Sequence, residues 1–285
     1  YNTAVGRSSQ RGPNSNTDYY SGSFNTSVGS GSLKVITTGD DNTAVGYYSQ
    51  YGNSITGDKN SSLGSNSLKD LIGGSGNNAI GYNAAQNITN GNYNVSIGNN
   101  SSNANQTGDD NVAIGNSALY SNTSNDNTAV GFNALYNTNA ANNVGIGWKA
   151  GNEITSGTDN VVIGYNASVG TATANNQIVL GSGITGLGVN TAVIGSASTT
   201  ALYAAEDGEA TVYAGGMVLE GATADGNETT LGVVDPTADR TINLPNQSGT
   251  LPVLAAASTT AITSTPEELN ILDGVTSTAT ELNIL

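Results

Sequence analysis

The chain contains 285 residues, of which 36% are hydrophobic, 10% charged and 6% aromatic, and 38 are glycines. So few large apolar side chains cannot fill the core of a conventional layered globule, whereas a disordered tract would contain fewer hydrophobic residues. Cysteine and histidine are absent, which excludes disulfides, thiolate metal sites and every catalytic or metal site that depends on histidine.

The net charge of −15 is unevenly distributed along the chain. Residues 1–195 carry six basic and ten acidic residues, whereas residues 196–285 carry only Arg240 against twelve acidic residues. Binding to phosphates requires a basic face, so we expect no nucleic-acid partner. Because no apolar run approaches the length that spans a bilayer, we also expect no membrane insertion in this segment.

The chain begins with a repeated phrase. The pentapeptide Asn-Thr-Ala-Val-Gly occurs at residues 2–6, 42–46 and 127–131, and near-copies continue to about residue 195. Aligned on the glycine, the copies recur at intervals that are mostly 16 to 18 residues, which is the signature of a repeat architecture. The twelve glycines are Gly6, Gly29, Gly46, Gly64, Gly81, Gly98, Gly115, Gly131, Gly147, Gly164, Gly181 and Gly195.

Each repeat has fixed positions around its glycine. The residue before the glycine is aliphatic in all twelve copies, and the residue four before it is asparagine in the first ten. These residues predict a short strand, the glycine permits a turn that a side chain would obstruct, and polar stretches form the return bend. We expect each aliphatic residue to be buried on its equivalent in the next coil, and the asparagines to form a hydrogen-bonded ladder. The ladder residues are Asn2, Asn25, Asn42, Asn60, Asn77, Asn94, Asn111, Asn127, Asn143 and Asn160.

The predicted fold class is all-β: a parallel β-solenoid (β-roll) of about 12 coils with a repeat of ~17 residues, formed by residues 1–195. At roughly 4.8 Å per coil it would be a rod about 55–60 Å tall. The four residues before each glycine carry no charge in any copy. We therefore expect one strand face to line the interior and the other to contact sister chains in a homotrimer, with end-to-end fibre formation left open. The alternative is a monomeric solenoid with an uncharged polar flank.

Three copies carry a resemblance to a known family. The stretches at residues 127–135, 111–119 and 77–85, NTAVGFNAL, NVAIGNSAL and NNAIGYNAA, resemble the head repeats of trimeric autotransporter adhesins. The resemblance covers about residues 1–195 and implies a left-handed parallel β-roll packed as a trimer. The family's repeat is near fourteen residues, and the longer bends of this chain leave handedness and coil shape open.

Two further segments follow the predicted rod. Residues 196–255 alternate short β-type runs with Gly, Asp and Pro turns, which predicts an acidic β-rich connector. Residues 256–285 contain a repeat of 13 residues, in which Thr265 to Glu268 has the form of a capping box and Gly274 that of a helix stop. We expect shaft repeats with short helical turns there. Both segments, notably ELNILDGVT at residues 268–276, resemble parts of bacteriophage tail fibres.

The candidate site residues are few. Phe132, Trp148 and Tyr165 follow the glycine directly in three consecutive repeats, and alternation places them outward. They are a candidate surface for contact with glycan or protein, although stacking of the rings that protects the coil flank explains them better. The acidic pairs Asp40–Asp41 and Asp109–Asp110 lie in equivalent bends, where turn formation explains them better than catalysis or calcium binding.

The sequence therefore favours a structural, non-catalytic protein without a cofactor or metal. We expect a component of a trimeric extracellular or virion fibre, similar to a phage tail fibre, that serves surface attachment and presentation. Its receptor would be a cell-surface glycan or protein. A bacterial surface adhesin or the subunit of a polymerised extracellular filament is the alternative. A polysaccharide hydrolase similar to a tailspike is a third, less favoured hypothesis.

Overall fold

A computed structural model describes residues 1–11 and 21–199, together with the backbone of two short strands at residues 216–219 and 229–232. Among these residues every regular element is a β-strand. The chain divides into two compact units, Tyr1–Tyr203 and Ala204–Leu285.

The first unit is a parallel β-solenoid with one three-residue strand in each coil. Twelve strands form one parallel sheet in chain order, each hydrogen-bonded to the strands before and after it. They are β1 (Thr3–Val5), β2 (Thr26–Val28), β3 (Thr43–Val45), β4 (Ser61–Leu63), β5 (Asn78–Ile80), β6 (Val95–Ile97), β7 (Val112–Ile114), β8 (Thr128–Val130), β9 (Val144–Ile146), β10 (Val161–Ile163), β11 (Ile178–Leu180) and β12 (Ala192–Ile194).

The register confirms the predicted stacking of equivalent residues. Val28 pairs with Val5 and with Val45, and this alignment continues strand by strand to Ile194. One complete turn of the solenoid runs from a strand to the next strand, so twelve strands are joined by eleven turns. The first turn includes residues that the structure does not describe. About ten complete turns are therefore seen, rather than the predicted twelve coils. The repeat of ~17 residues and the all-β class are confirmed.

The glycine of each repeat is required by geometry and not only by turn preference. Gly81 has a φ of +133°, a value that side chains disfavour, and a Cβ placed there would lie 2.6 Å from the carbonyl oxygen of Gly98. The equivalent glycines from Gly6 to Gly164 stand in the same relation to the next coil. The coils can therefore approach each other at this corner only because the side chain is missing.

The apolar interior of the solenoid is filled from three positions around the glycine and, where that residue is Leu or Ile, from the seventh residue after the glycine, as at the fully buried Ile88. The residue two before the glycine is buried from the second to the eleventh coil and small in most of them, as at Ala79 and Ala113, and the third and fourth residues after the glycine add to the layer, as Ala118 and Leu119 do. Leu119 has a φ of +50°, a value that a helix or strand would not supply, so the bend itself turns this side chain inward.

The placement of the aliphatic residue before the glycine differs from the prediction. We expected this row to be buried, but its members are half-exposed or exposed, including Val28, Leu63 and Ile146. Side chains alternate along a strand, so the buried asparagine shares the inner face with the small residue two places on, and the aliphatic residue must point outward. The predicted inner and outer faces of the strand were therefore exchanged.

A polar layer divides the apolar interior at the sixth coil. One cluster of buried apolar residues extends from Leu33 to Ile88 and a second from Ala113 to Ile184. Between them, coil 6 places buried Ser96 and Ser102 at positions where neighbouring coils carry alanine or leucine. The hydroxyls of both serines lack a hydrogen-bond partner.

In the second unit the described residues form one antiparallel pair, β13 (Gly216–Leu219) with β14 (Thr229–Gly232). The remaining residues predicted as the connector at 196–255 lie largely outside the described residues. The shaft repeats predicted at 256–285 lie outside them entirely, and their short helical turns remain a prediction.

Candidate functional site

The outer face of the twelve-stranded sheet carries an aliphatic column. We use this name for the residue before each repeat glycine, which ranges in exposure from about two-fifths to more than half in most coils, with Ile146 at 38% and Val5 at 57%. The column consists of Val5, Val28, Val45, Leu63, Ile80, Ile97, Ile114, Val130, Ile146, Ile163, Leu180 and Ile194.

A second outward column runs beside it, formed by the residue three before each glycine. In the first five coils this column is polar and includes Thr43, Ser61 and Asn78. From the sixth coil it is mostly Val or Ile, so the apolar surface widens there; these residues are Val95, Val112, Val144, Val161 and Ile178. No strand from β1 to β12 contains a charged residue.

A shallow depression of 230 Å³ lies in this face where the second column is polar. Its lining includes Thr43 and Ser61 from the polar column and Val45, Leu63 and Ile80 from the aliphatic column. The face is therefore not uniformly flat, because the larger aliphatic side chains stand beside smaller polar ones.

The asparagines form a continuous hydrogen-bonded ladder inside the solenoid. In all ten, Oδ1 accepts the backbone N–H of the equivalent residue in the next coil, at 2.8 to 3.2 Å, and the last acceptor bonds Gln177. In nine of them Nδ2 also donates to a backbone carbonyl in the bend of the next coil, as Asn77 does to Gly91 at 2.8 Å. Direct contacts between side-chain amides occur in only six, among them Asn77 with Asn60 at 3.0 Å.

A second ladder on the outside of the bends was missed by the sequence analysis. Here the side chain six before the glycine accepts the backbone N–H of the equivalent residue in the preceding coil, so it runs in the opposite sense to the asparagine ladder. Asp40 accepts from Ser23 at 2.6 Å, Asp58 from Asp40 at 2.8 Å, and Asp109 from Asn92 at 2.6 Å. Asp, Asn and Ser serve as the acceptor at this position, so the signal was a side-chain acceptor rather than one residue type.

The acidic pairs take the turn role that the sequence favoured. Asp40 and Asp109 belong to the outer ladder, and Asp41 and Asp110 have φ values of +57° and +56° in the bend itself. Within residues 1–11 and 21–199 no three acidic side chains gather closely enough to hold a metal ion. On another bend, the Thr158 hydroxyl and the Asn142 amide hold the pKa of Asp159 below its ordinary value.

Phe132, Trp148 and Tyr165 are brought together in one stack on the surface. The ring centroids of Phe132 and Trp148 are 6.2 Å apart and those of Trp148 and Tyr165 are 4.8 Å apart, with planes inclined by 12° and 11°. Lys149 lies with Nζ 4.5 Å from the Trp148 centroid. The rings face one another along the rod, so each contact covers part of a ring face, while Phe132, Trp148 and Tyr165 remain 43%, 38% and 58% exposed.

A second aromatic cluster, which the sequence analysis did not single out, lies on the second to third coils. Tyr47 and Tyr48 stack at 3.9 Å, and the Tyr51 ring is 4.4 Å from that of Tyr48. Lys34 Nζ lies 4.6 Å from the Tyr51 centroid and donates to its hydroxyl at 2.5 Å. The available signal was position: Lys34, Tyr51 and Lys69 each stand fifth after their glycine, in consecutive coils.

Comparison with known families, with curated proteins and with solved structures gives no match. The described part of the chain contains no helix that is long and apolar enough to cross a membrane.

Proposed function

We propose that this chain is a structural, non-catalytic component of a homotrimeric extracellular or virion fibre that serves surface attachment and presentation. The observation that carries the proposal is the aliphatic column. A continuous row of twelve outward aliphatic side chains, eight of them more than a third exposed, with no charge on any of the twelve strands, is typical of a surface that another protein covers.

The size of the column is compatible with a specific interface. With each of the eight members that are more than a third exposed contributing on the order of 50–80 Å², these residues present on the order of 400–640 Å², and the four less exposed members bring the total toward the ~800 Å² per partner of a standard interface. A soluble monomer rarely leaves a contiguous apolar patch larger than about 300–600 Å². A sister chain is the occupant that supplies a surface of equal length and equal coil spacing.

The two outward columns also support a ring rather than a face-to-face pair. Over the first five coils one column is large and aliphatic and the other is small and polar, with the depression between them. Setting the large column of one rod beside the small column of the next gives a heterologous contact, and such contacts close into rings when the rotation permits. The resemblance of the repeats to trimeric adhesin heads supports three as the number of chains.

Sedimentation equilibrium of the full chain tests the oligomer. The monomer mass is 28.6 kDa, and the proposal predicts a species of three times that mass. Ile146→Asp places a charge in the aliphatic column and should release folded monomers, because a buried unpaired charge is strongly unfavourable at an interface. Thr155→Asp, at an exposed bend position, is the matched control and should leave the trimer intact.

A separate assay distinguishes the fibre from a polysaccharide hydrolase. Incubation of the purified protein with capsular and lipopolysaccharide glycans should release no oligosaccharide if the chain is structural. Release that continues at a constant rate, and that copurifies with the protein, would contradict the non-catalytic assignment.

A further inference from the structure

A groove of 340 Å³ lies beside the second aromatic cluster, where the return segments of coils 3, 4 and 5 meet. This volume is at the lower end of the ~300–1,000 Å³ typical of small-molecule sites. Its lining consists of Tyr51, Gly52, Asn53, Lys69, Asp70, Ile72 and Thr89. These residues all follow the repeat glycine by five to eight positions, so they belong to the return segment and not to the strand that carries the aliphatic column.

Tyr51 supplies an aromatic wall that is held from one side. Lys34 belongs to the preceding coil and contacts both the face and the hydroxyl of Tyr51, whereas Lys69 and Asp70 belong to the following coil and line the groove. Lys34 and Tyr48, whose ring centroid lies 4.4 Å from that of Tyr51, therefore cover part of the ring, and the part toward the following coil borders the groove. This arrangement contrasts with the stack around Trp148, in which the faces of the middle ring are directed at neighbouring rings.

The rest of the lining offers hydrogen-bond donors and acceptors around an apolar floor. Asp70 provides carboxylate oxygens, Asn53 an amide with both donor and acceptor, and Lys69 an ammonium. The Thr89 hydroxyl donates to the carbonyl of Gln106 at 3.0 Å and keeps its lone pairs for a donor in the groove. Ile72 is 38% exposed and adds apolar surface.

We propose that this groove binds a neutral saccharide of one or two pyranose units. A pyranose has an apolar face of C–H groups that packs on an aromatic ring, and hydroxyls that a carboxylate, an amide and an ammonium can bind in pairs. The opposite charges of Lys69 and Asp70 balance, which favours a neutral sugar over a sulfated or phosphorylated one. The inference rests on the proposed role in surface attachment, since it names the class of receptor that the fibre would contact.

Saturation-transfer difference NMR on the full chain tests the proposal. The probes are the methyl glycosides of glucose, galactose, mannose and N-acetylglucosamine, together with maltose and lactose, each at millimolar concentration. At least one probe should receive saturation, strongest at its ring C–H protons. Tyr51→Ala should weaken its binding on the order of tenfold, because it removes the stacking surface. Asp70→Asn should weaken it by a smaller factor.

Tyr120→Ala is the matched control. Tyr120 stands at the same coil position as Tyr51 but stacks on Tyr136 with centroids 5.0 Å apart, and it does not line the groove. Its variant should bind like the original chain. Absence of saturation transfer to all six probes would overturn the proposal, as would an equal loss in the Tyr51 and Tyr120 variants.

The mass of the same samples separates this proposal from the proposed function. If the chain is a trimer that binds none of the probes, the proposed fibre is supported and the sugar site is refuted. If the chain is a monomer whose sugar binding depends on Tyr51, the sugar site is supported and the trimer is refuted.

Discussion

Replacing Asn77 by alanine should destabilise the solenoid locally and by a large amount. Asn77 is buried, its Nδ2 donates to the carbonyl of Gly91 at 2.8 Å, and its Oδ1 accepts the backbone N–H of Asn94 at 3.0 Å. The substitution removes both bonds and also the side-chain amide contacts with Asn60 and Asn94, each of 3.0 Å, whereas Asn60 keeps its bond to the backbone N–H of residue 77.

The expected magnitude follows from the groups that lose their partner. The Gly91 carbonyl and the Asn94 N–H would lie in the interior without a hydrogen bond from residue 77, and each such group costs about 1–3 kcal/mol, so the loss should be about 2–6 kcal/mol. Asn78 provides the control, because it is the next residue, lies on the outer face and makes only a long bond of 3.4 Å to Gly76. Asn78→Ala should change stability by less than about 0.5 kcal/mol.

Native-state hydrogen exchange read by mass spectrometry is the suitable assay, because coils of a repeat protein open locally and one global free energy is poorly defined. At a fixed protein concentration, the amides of peptides that contain Asn94 should exchange faster in the Asn77 variant than in the original chain. The ratio of the two exchange rates should correspond to the loss of about 2–6 kcal/mol in local stability. Peptides near Trp148 should be unchanged. Equal effects of the two substitutions, or no acceleration at Asn94, would refute the role assigned to the ladder.

Two further matched pairs test the interior. Gly81→Ala should prevent close stacking of its coil, because alanine disfavours this φ and the new Cβ would meet the backbone of the next coil. Gly183→Ala is the control: its φ is +64° and the space around it is open, so it should lower the free energy of unfolding by only about 1 kcal/mol. Thermal denaturation distinguishes the two outcomes. Ser96→Ala should stabilise the chain by up to about 1 kcal/mol, because it removes a buried hydroxyl that has no hydrogen-bond partner. Ser62→Ala, at the same coil position, should destabilise the chain, because it loses hydrogen bonds to Ser49 and Gln50. The opposite order of stabilities would contradict the account.

Much of the solenoid could be predicted from the spacing of its glycines. A glycine followed at ~17 residues by another glycine, with an aliphatic residue before each, leaves few folds other than stacked coils. The asparagine position was equally visible, because only a side chain with both donor and acceptor can bond a backbone N–H and a backbone carbonyl of the next coil. These features depend on local geometry that repeats, and therefore they show directly in the sequence.

The assignment of the strand faces was wrong for a reason that lies in packing. Hydrophobicity argued that Val and Ile should be inside, but Asn77 and Ala79 share one face of the strand, and Ile80 lies on the other. The interior of so narrow a coil has room for a small residue opposite Leu119 or its equivalents, and the larger aliphatic row is left outside. Alternation together with a buried asparagine would have given the correct faces.

The sugar groove could not be predicted from the sequence because its residues come from three coils. Tyr51, Asp70 and Thr89 occupy different positions after their glycines, and only the offset of successive bends brings them to one groove. The outer ladder was hidden in a different way, since three residue types, Asp, Asn and Ser, satisfy one hydrogen-bonding role. Recognising it requires the backbone donors, which the sequence does not display.

Covalent cross-linking across the aliphatic face tests the central claim most directly. The chain has no cysteine, so a cross-link that joins two chains through cysteines introduced at one level of the rod reports on the contact between chains at that level. In the double variant Val144→Cys/Ile146→Cys, the large column of one chain meets the second column of the next, and a short bismaleimide should give covalent trimers on a denaturing gel. The control Thr155→Cys should remain monomeric. Monomers alone from the double variant, with its β-structure intact, would contradict the account.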